Sequence, residues 1–307
     1  MKRVVIGICL VLLIVATANL FPGRAQEAGA PVSQPPGNPI AANPLKVALL
    51  KWYRGNLTTS FTVGQQPYGV AFDGENIWTA NSGDGTVTKL RAADGAVLGT
   101  FKVGNTPYGV TFDGANMWVT NYSDSTVSKL RASDGKNLGT FAAGANPFWM
   151  AFDGEDIWVA DTGDVTVTKL RASDGKRLGV FKTGGPYAIA FDGTYIWVTT
   201  TANDVVRLRR DGSSAASFKV GHQPLGIAFD GAHIWVANEP DGTVSKLRAS
   251  DGSTLGTFKV GGSPYGVAFD GTNIWVTVGI ALIEMRASDG KVVGLFNANG
   301  GSTGGGL

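Results

Sequence analysis

Tryptophan recurs along this chain at a nearly constant interval, and that interval limits what the chain can fold into. Trp78, Trp118, Trp158, Trp197, Trp235 and Trp275 stand 40, 40, 39, 38 and 40 residues apart. The same text surrounds each of them. The copy from Phe101 to Thr140 reads FKVGNTPYGVTFDGANMWVTNYSDSTVSKLRASDGKNLGT, and the others begin at Phe61, Phe141, Phe181, Phe218 and Phe258. A fixed period of about 40 residues marks a repeat architecture, in which each unit buries its faces only against its neighbours.

Each copy divides into four short strands. PYGVTF alternates apolar and small residues, and Asp113-Gly114 then supplies a tight turn. MWVTN is β-branched and aromatic and ends in the polar loop Tyr122 to Ser125; TVSKLRA follows and closes at Ser133-Asp134-Gly135. A fourth strand from Asn137 leads into the next copy. With 44 glycines and only 16% charged residues, the composition suits many short strands and turns rather than helices. Four antiparallel strands repeated radially predict an all-β fold, a β-propeller. The Gly-His and Trp-Asp signature of WD-type repeats is absent. Upstream of Phe61, Val47 aligns on Val87, Leu50 on Leu90 and Lys51 on Arg91, so Lys46 to Val63 reads as the third and fourth strands of a half-blade. Six complete repeats plus this half-blade allow closure with six blades or with seven.

The flanks read differently. Lys2 and Arg3 precede an apolar run from Val4 to Ala18, which predicts a signal peptide over residues 1–25, cut after Ala18 or Ala25. Residues 26–45 are rich in Pro, Ala and Gly and read as a tether, 46–298 as the propeller and 299–307 as a Gly-rich tail. The chain's one cysteine, Cys9, lies inside the apolar run. Removal of the leader therefore excludes disulfides and thiolate chemistry and leaves no membrane span. It also removes Lys2, Arg3 and Arg24, and 26 basic against 24 acidic residues become 23 against 24. Near-neutral charge offers no electrostatic footprint for nucleic acid. The expected setting is secreted, periplasmic or cell-surface.

The segment Val103 to Leu130, VGNTPYGVTFDGANMWVTNYSDSTVSKL, resembles the YVTN repeat of surface-layer and related secreted propellers, with Trp118 in the place of its tyrosine. The resemblance, to a repeat of NHL-like kind, implies a seven-blade precedent and a cell-surface or periplasmic setting. The repeat is more distantly similar to that of streptogramin B (virginiamycin B) lyases, which use a His between the Pro and Gly, a Glu closing the Trp strand, and Mg²⁺. Here the His position holds Tyr68, Tyr108, Phe148, Tyr187, Leu225 and Tyr265. The Glu position holds Asn81, Asn121, Asp161, Thr200, Asn238 and Val278. No copy carries either residue.

A radial repeat sorts its own residues. What every copy shares solves a shared packing problem, so the Phe-Asp-Gly aspartates (Asp73, Asp113, Asp153, Asp192, Asp230, Asp270) read as turn formers and the third-strand Lys and Arg as solvated charges. The loops joining fourth to first and second to third strands fall on one face. That face should present Tyr68, Tyr108, Phe148, Trp149, Tyr187 and Tyr265, with Asn81, Asn121, Asp161 and Asn238 nearby, as a ligand-binding surface for a protein, peptide or glycan with no cofactor. The departures are Trp149-Met150 and Asp161 in the third copy, and His222 and Glu239, the latter followed by Pro240 and Asp241, in the fifth. His222 and Glu239 are the candidates for acid–base work, and Glu239 and Asp241 for a Mg or Ca ligand set, in an alternative lyase or hydrolase reading. The half-blade adds a route to self-association by strand pairing.

Overall fold

The computed structural model describes residues 61–297. The expected signal peptide, tether, Gly-rich tail and most of the half-blade lie outside the described residues. Within them the chain forms six four-stranded antiparallel sheets, spanning 67–102, 107–142, 147–182, 186–219, 224–259 and 264–297, each with its strands in sequence order. They are the blades of a six-bladed β-propeller. The second blade is representative: Pro107–Phe112, Asn116–Asn121, Thr126–Arg131 and Asn137–Ala142. One 3₁₀ turn, Tyr122–Asp124, interrupts the strands. Among the described residues no helix is long and apolar enough to cross a membrane.

Alternation along the strands builds the interfaces between blades. Trp78, Ala80 and Val87 of the first blade pack with Val110, Met117 and Leu130 of the second. Equivalent clusters fill the next four boundaries. Five of the six repeat tryptophans are fully buried, each contributing on the order of 2–4 kcal/mol in transfer free energy before the entropy of ordering.

The shared aspartates hold the turns as expected, and they also anchor the tryptophans. Asp113 Oδ1 accepts the N–H groups of Ala115 and Asn116 at 2.9 and 2.6 Å, and its Oδ2 accepts the Trp118 indole N–H at 2.8 Å. All six copies keep the indole bond. A buried indole N–H needs an acceptor, and the turn carboxylate supplies it.

The third-strand cations divide into two kinds. The arginines pair with turn aspartates at the rim, as Arg91 with Asp94 at 2.9 Å, and both partners are exposed. The lysines are not solvated, contrary to expectation. Lys89, Lys129 and Lys246 are buried over the faces of Trp78, Trp118 and Trp235. Each donates to turn carbonyls of the next blade, as Lys89 Nζ does to Ala132 O at 2.7 Å. A flexible stem lets the ammonium reach across a boundary that a residue facing its own sheet would not span.

Candidate functional site

The channel mouth is shaped by one recurring irregularity. In every blade the first and second strands lose register for two residues after the proline: Tyr68-Gly69, Tyr108-Gly109, Phe148-Trp149, Tyr187-Ala188, Leu225-Gly226 and Tyr265-Gly266. A bulge re-aims the side chain it carries, and here it brings these rings together. Ring centroids lie 4.6 Å apart for Tyr68 and Tyr108, 5.1 Å for Tyr108 and Phe148, and 4.9 Å for Phe148 and Tyr187. The circuit closes where the Tyr68 and Tyr265 hydroxyls hydrogen-bond to each other, with rings 6.1 Å apart. Glycine after the aromatic permits the crowding: a Cβ at Gly69 would lie 1.9 Å from the Tyr108 carbonyl oxygen.

Beside these rings opens a cavity of about 380 Å³, walled by Tyr68, Phe148, Trp149, Tyr187, Leu225 and Tyr265 among others, with no charged side chain in its lining. Its size falls in the range of sites that hold one small ligand or an anchoring side chain. Trp149 extends the aromatic wall because the third copy has no glycine at that position. Burial pushes the Tyr68 hydroxyl up to about 12, against the hydrogen bond from Tyr265. Burial, with the Tyr68 contact adding to it, holds Tyr265 higher still. Both stay protonated at neutral pH and act as neutral hydrogen-bond donors and acceptors.

The two loop sets do lie side by side. Ser82 N–H bonds Gln66 O, Tyr122 N–H bonds Thr106 O and Glu239 N–H bonds Gln223 O, at 3.0 to 3.3 Å. The amides placed near the rings by sequence lie beneath this surface. Asn81, Asn121 and Asn238 are fully buried. Asn121 Oδ1 accepts Gly104 N–H at 2.9 Å, while Nδ2 donates to Thr126 and Ser128 hydroxyls at 3.0 and 2.9 Å. Asp161 takes the same place in the third blade, accepting from Gly144 N–H and from the Thr166 and Thr168 hydroxyls. Desolvation raises its carboxyl to about 6 against those hydrogen bonds.

The fifth-blade departures resolve into the same loop clamp. His222 N–H donates to Asp241 Oδ2 at 2.7 Å and its Nδ1 lies 2.8 Å from Oδ1. In the second blade Asn105 makes both bonds to Asp124, at 2.7 and 2.8 Å. The His222 bonds, the backbone N–H first, hold the Asp241 carboxyl below its ordinary range. Glu239 sits in the second-to-third loop and is partly buried. Among the described residues no group of three or more His, Cys, Asp or Glu side chains is placed to hold a metal ion.

The fold is similar to that of solved structures, two of them as follows. Hydrazine synthase from Kuenenia stuttgartiensis is 18% identical with a TM-score of 0.62, over 75% of this chain and 80% of that one. A functionally unknown protein from Desulfotomaculum acetoxidans DSM 771 is 14% identical with a TM-score of 0.64, over 71% and 78%. The likeness is one of fold. No family model matches the chain, and no curated protein does.

The propeller's aromatic cluster has one member that sequence reading passed over. Tyr122 packs its ring 5.1 Å from Tyr108 and 6.3 Å from Phe148. The available signal was its departure from Ser82, Thr162, Thr201 and Glu239 at the same repeat position.

Proposed function

We propose that this protein is an exported binding propeller that engages a protein or peptide partner through its channel mouth. The reading rests on one observation: a cavity of about 380 Å³ whose wall is aromatic and free of charge. Such a wall gains by burying apolar area and by ring–ring contact, while tyrosine hydroxyls fix orientation. It favours a neutral anchor, such as an apolar or aromatic side chain on the partner. Its lining holds no carboxylate or imidazole, the commonest groups for acid–base work at neutral pH. Export, with a periplasmic or cell-surface setting, follows from the leader-like residues 1–25 and agrees with the resemblance to surface-layer repeats. A neutral glycan is the other ligand class this wall suits, since sugar rings also lie against aromatic faces. The metal-dependent lyase or hydrolase reading would have to draw on His222 and Asp241, which are bound to each other in the loop clamp.

The test is a selection of binders from a displayed random-peptide library and a glycan array against the purified full-length chain, repeated on Trp149→Gly. That variant takes the residue used at the equivalent place in four other copies, so the blade should still fold. Peptides with an apolar anchor that bind the parent and lose at least about tenfold in affinity on the variant support the reading. Binding indifferent to Trp149→Gly and to Tyr187→Ala would move the site elsewhere on the molecule.

A further inference from the structure

Near-identical blades should give the channel mouth near-sixfold symmetry, yet five blades line the cavity and the second does not. The side chain after the bulge proline is aromatic in five blades and Leu225 in the fifth. Neighbouring rings touch in series from Tyr265 through Tyr68, Tyr108 and Phe148 to Tyr187. Between Tyr187 and Tyr265 the place belongs to Leu225, which is buried in the cavity wall.

The fifth-blade backbone is held there as in the other blades. Its first two strands lose register over Leu225-Gly226 just as the second-blade strands do over Tyr108-Gly109. Thr199 of the fourth blade donates its hydroxyl proton to Leu225 O at 2.8 Å, as Thr120 of the second does to Phe148 O of the third at 2.9 Å. Leu225 therefore stands at a ring position. Its branched aliphatic side chain fills less of that position than a phenol would.

Two further departures border the same space. Trp149 of the third blade stands in the cavity wall where the other copies carry Gly or Ala. The sixth blade joins its second and third strands by Gly279-Ile280 alone, where the other blades use three or four residues. Gly279 lines the cavity, and a Cβ there would meet nothing within 4 Å. Ile280 beside it is 62% exposed, the most exposed large aliphatic side chain among the described residues. Three copies thus depart from the repeat at one cavity. Leu225 makes room, Trp149 adds an aromatic wall, and the short turn lowers the rim.

Given the binding role above, on which this rests, we propose that the cavity takes an aromatic side chain of a peptide partner, which completes the circle of rings beside Leu225. A ring seated between Tyr187 and Tyr265 meets aromatic neighbours by edge and face, contacts worth more than the area they bury. An aliphatic anchor gains the area alone. The uncharged wall suits a neutral ring. The partner's backbone leaves over the two-residue turn, past Ile280.

Ligand-observed NMR on the full-length chain tests the anchor with blocked tripeptides, acetyl-Gly-X-Gly-amide, in which X is Trp, Tyr, Phe or Leu. The aromatic peptides should bind at least about fivefold more tightly than the leucine peptide. Leu225→Tyr installs the side chain found at this place in four other copies. It should weaken the aromatic peptides at least about tenfold by occupying their seat. In the parent chain, where no variant has to fold, nuclear Overhauser effects should run from the ligand ring to the Leu225 and Ile227 methyls, and from the flanking glycines to Ile280. Equal or tighter binding of the leucine peptide, lost on Trp149→Gly, overturns the aromatic anchor and leaves the channel-mouth reading standing. Binding indifferent to a folded Leu225→Tyr puts the ring elsewhere and overturns it too. So does a result in which no tripeptide binds, or in which methyl glycosides bind in their place; the peptide library and glycan array then decide the wider reading separately.

Discussion

Lys129 Nζ donates to the carbonyl oxygen of Ala172, 43 residues away and in the next blade, at 2.6 Å. Its ammonium lies 5.1 Å from the centre of the Trp118 ring and also reaches Ser173 O at 3.2 Å. One cation thus ties the tryptophan of one blade to the turn of its neighbour. Repetition of that tie around the ring explains why a side chain that is polar at its tip is buried along its length.

Removing the donor while keeping the stem should expose this tie. Lys129→Met leaves two turn carbonyls without their partner and is expected to cost about 1–3 kcal/mol. Lys129→Arg should retain most of it, since Arg207 makes the equivalent bonds to Ala249 and Ser250. Urea unfolding midpoints decide, and equal losses in the two variants would show that packing alone is at stake.

Asp113 serves turn and tryptophan together, so its loss should exceed that of an ordinary turn residue. Asp113→Ala orphans the Trp118 indole N–H and frees two turn amides, at an expected cost of about 2–4 kcal/mol. In a cycle with Trp118→Phe the two losses should be non-additive by at least about 0.5 kcal/mol. Strict additivity would separate the two roles.

Asp161 gives the protein an acid-side stability gradient. Its folded carboxyl is raised to about 6 from 3.8 by burial, so the folded state holds its proton more tightly than the unfolded chain. Stability should therefore fall as pH rises from about 4 to 6 and level off above that. Asp161→Asn installs the residue found at this place in the first, second and fifth blades. It should flatten the gradient and raise stability at pH 7 by up to about 3 kcal/mol. Thermal unfolding from pH 4 to 8 would show the two profiles converging at the acid end; parallel profiles would rule the carboxyl out as the source.

The half-buried tyrosines Tyr68 and Tyr265 predict the opposite limb. Tyr68 is raised to about 12 and Tyr265 further, both chiefly by desolvation, so above pH 10 the unfolded chain ionises these phenols before the folded one does. Stability should drop as pH rises beyond 10. Double substitution to Phe should lessen the drop. Absorbance titration at 295 nm, followed beside circular dichroism, should show the last phenols ionising only as the strands melt.

The blades were legible because their signals are local. Asp113-Gly114 makes a turn wherever it occurs between strands, and MWVTN alternates between two packing faces whatever surrounds it. Other assignments depended on what lies across a boundary. Lys129 looks solvated in sequence because nothing within its own repeat tells that Ala172 and Ser173 will stand before it. Asn121 looks like a channel-mouth amide, yet the Thr126 and Ser128 hydroxyls and the Gly104 N–H draw it below the surface. His222 looked like a departure with chemical purpose, and the fold makes it the fifth blade's version of Asn105.

The sequence by itself determined the repeat, its four strands, the turn aspartates and the aromatic residue that follows the proline in five of the six copies. All of these follow from short-range sterics and a forty-residue period that each copy restates. Only the tertiary structure decided which polar groups face solvent and which close a boundary. The bulge that gathers the tyrosines and the lysines that cross between blades arise from contacts between distant copies, whose partners no single repeat contains.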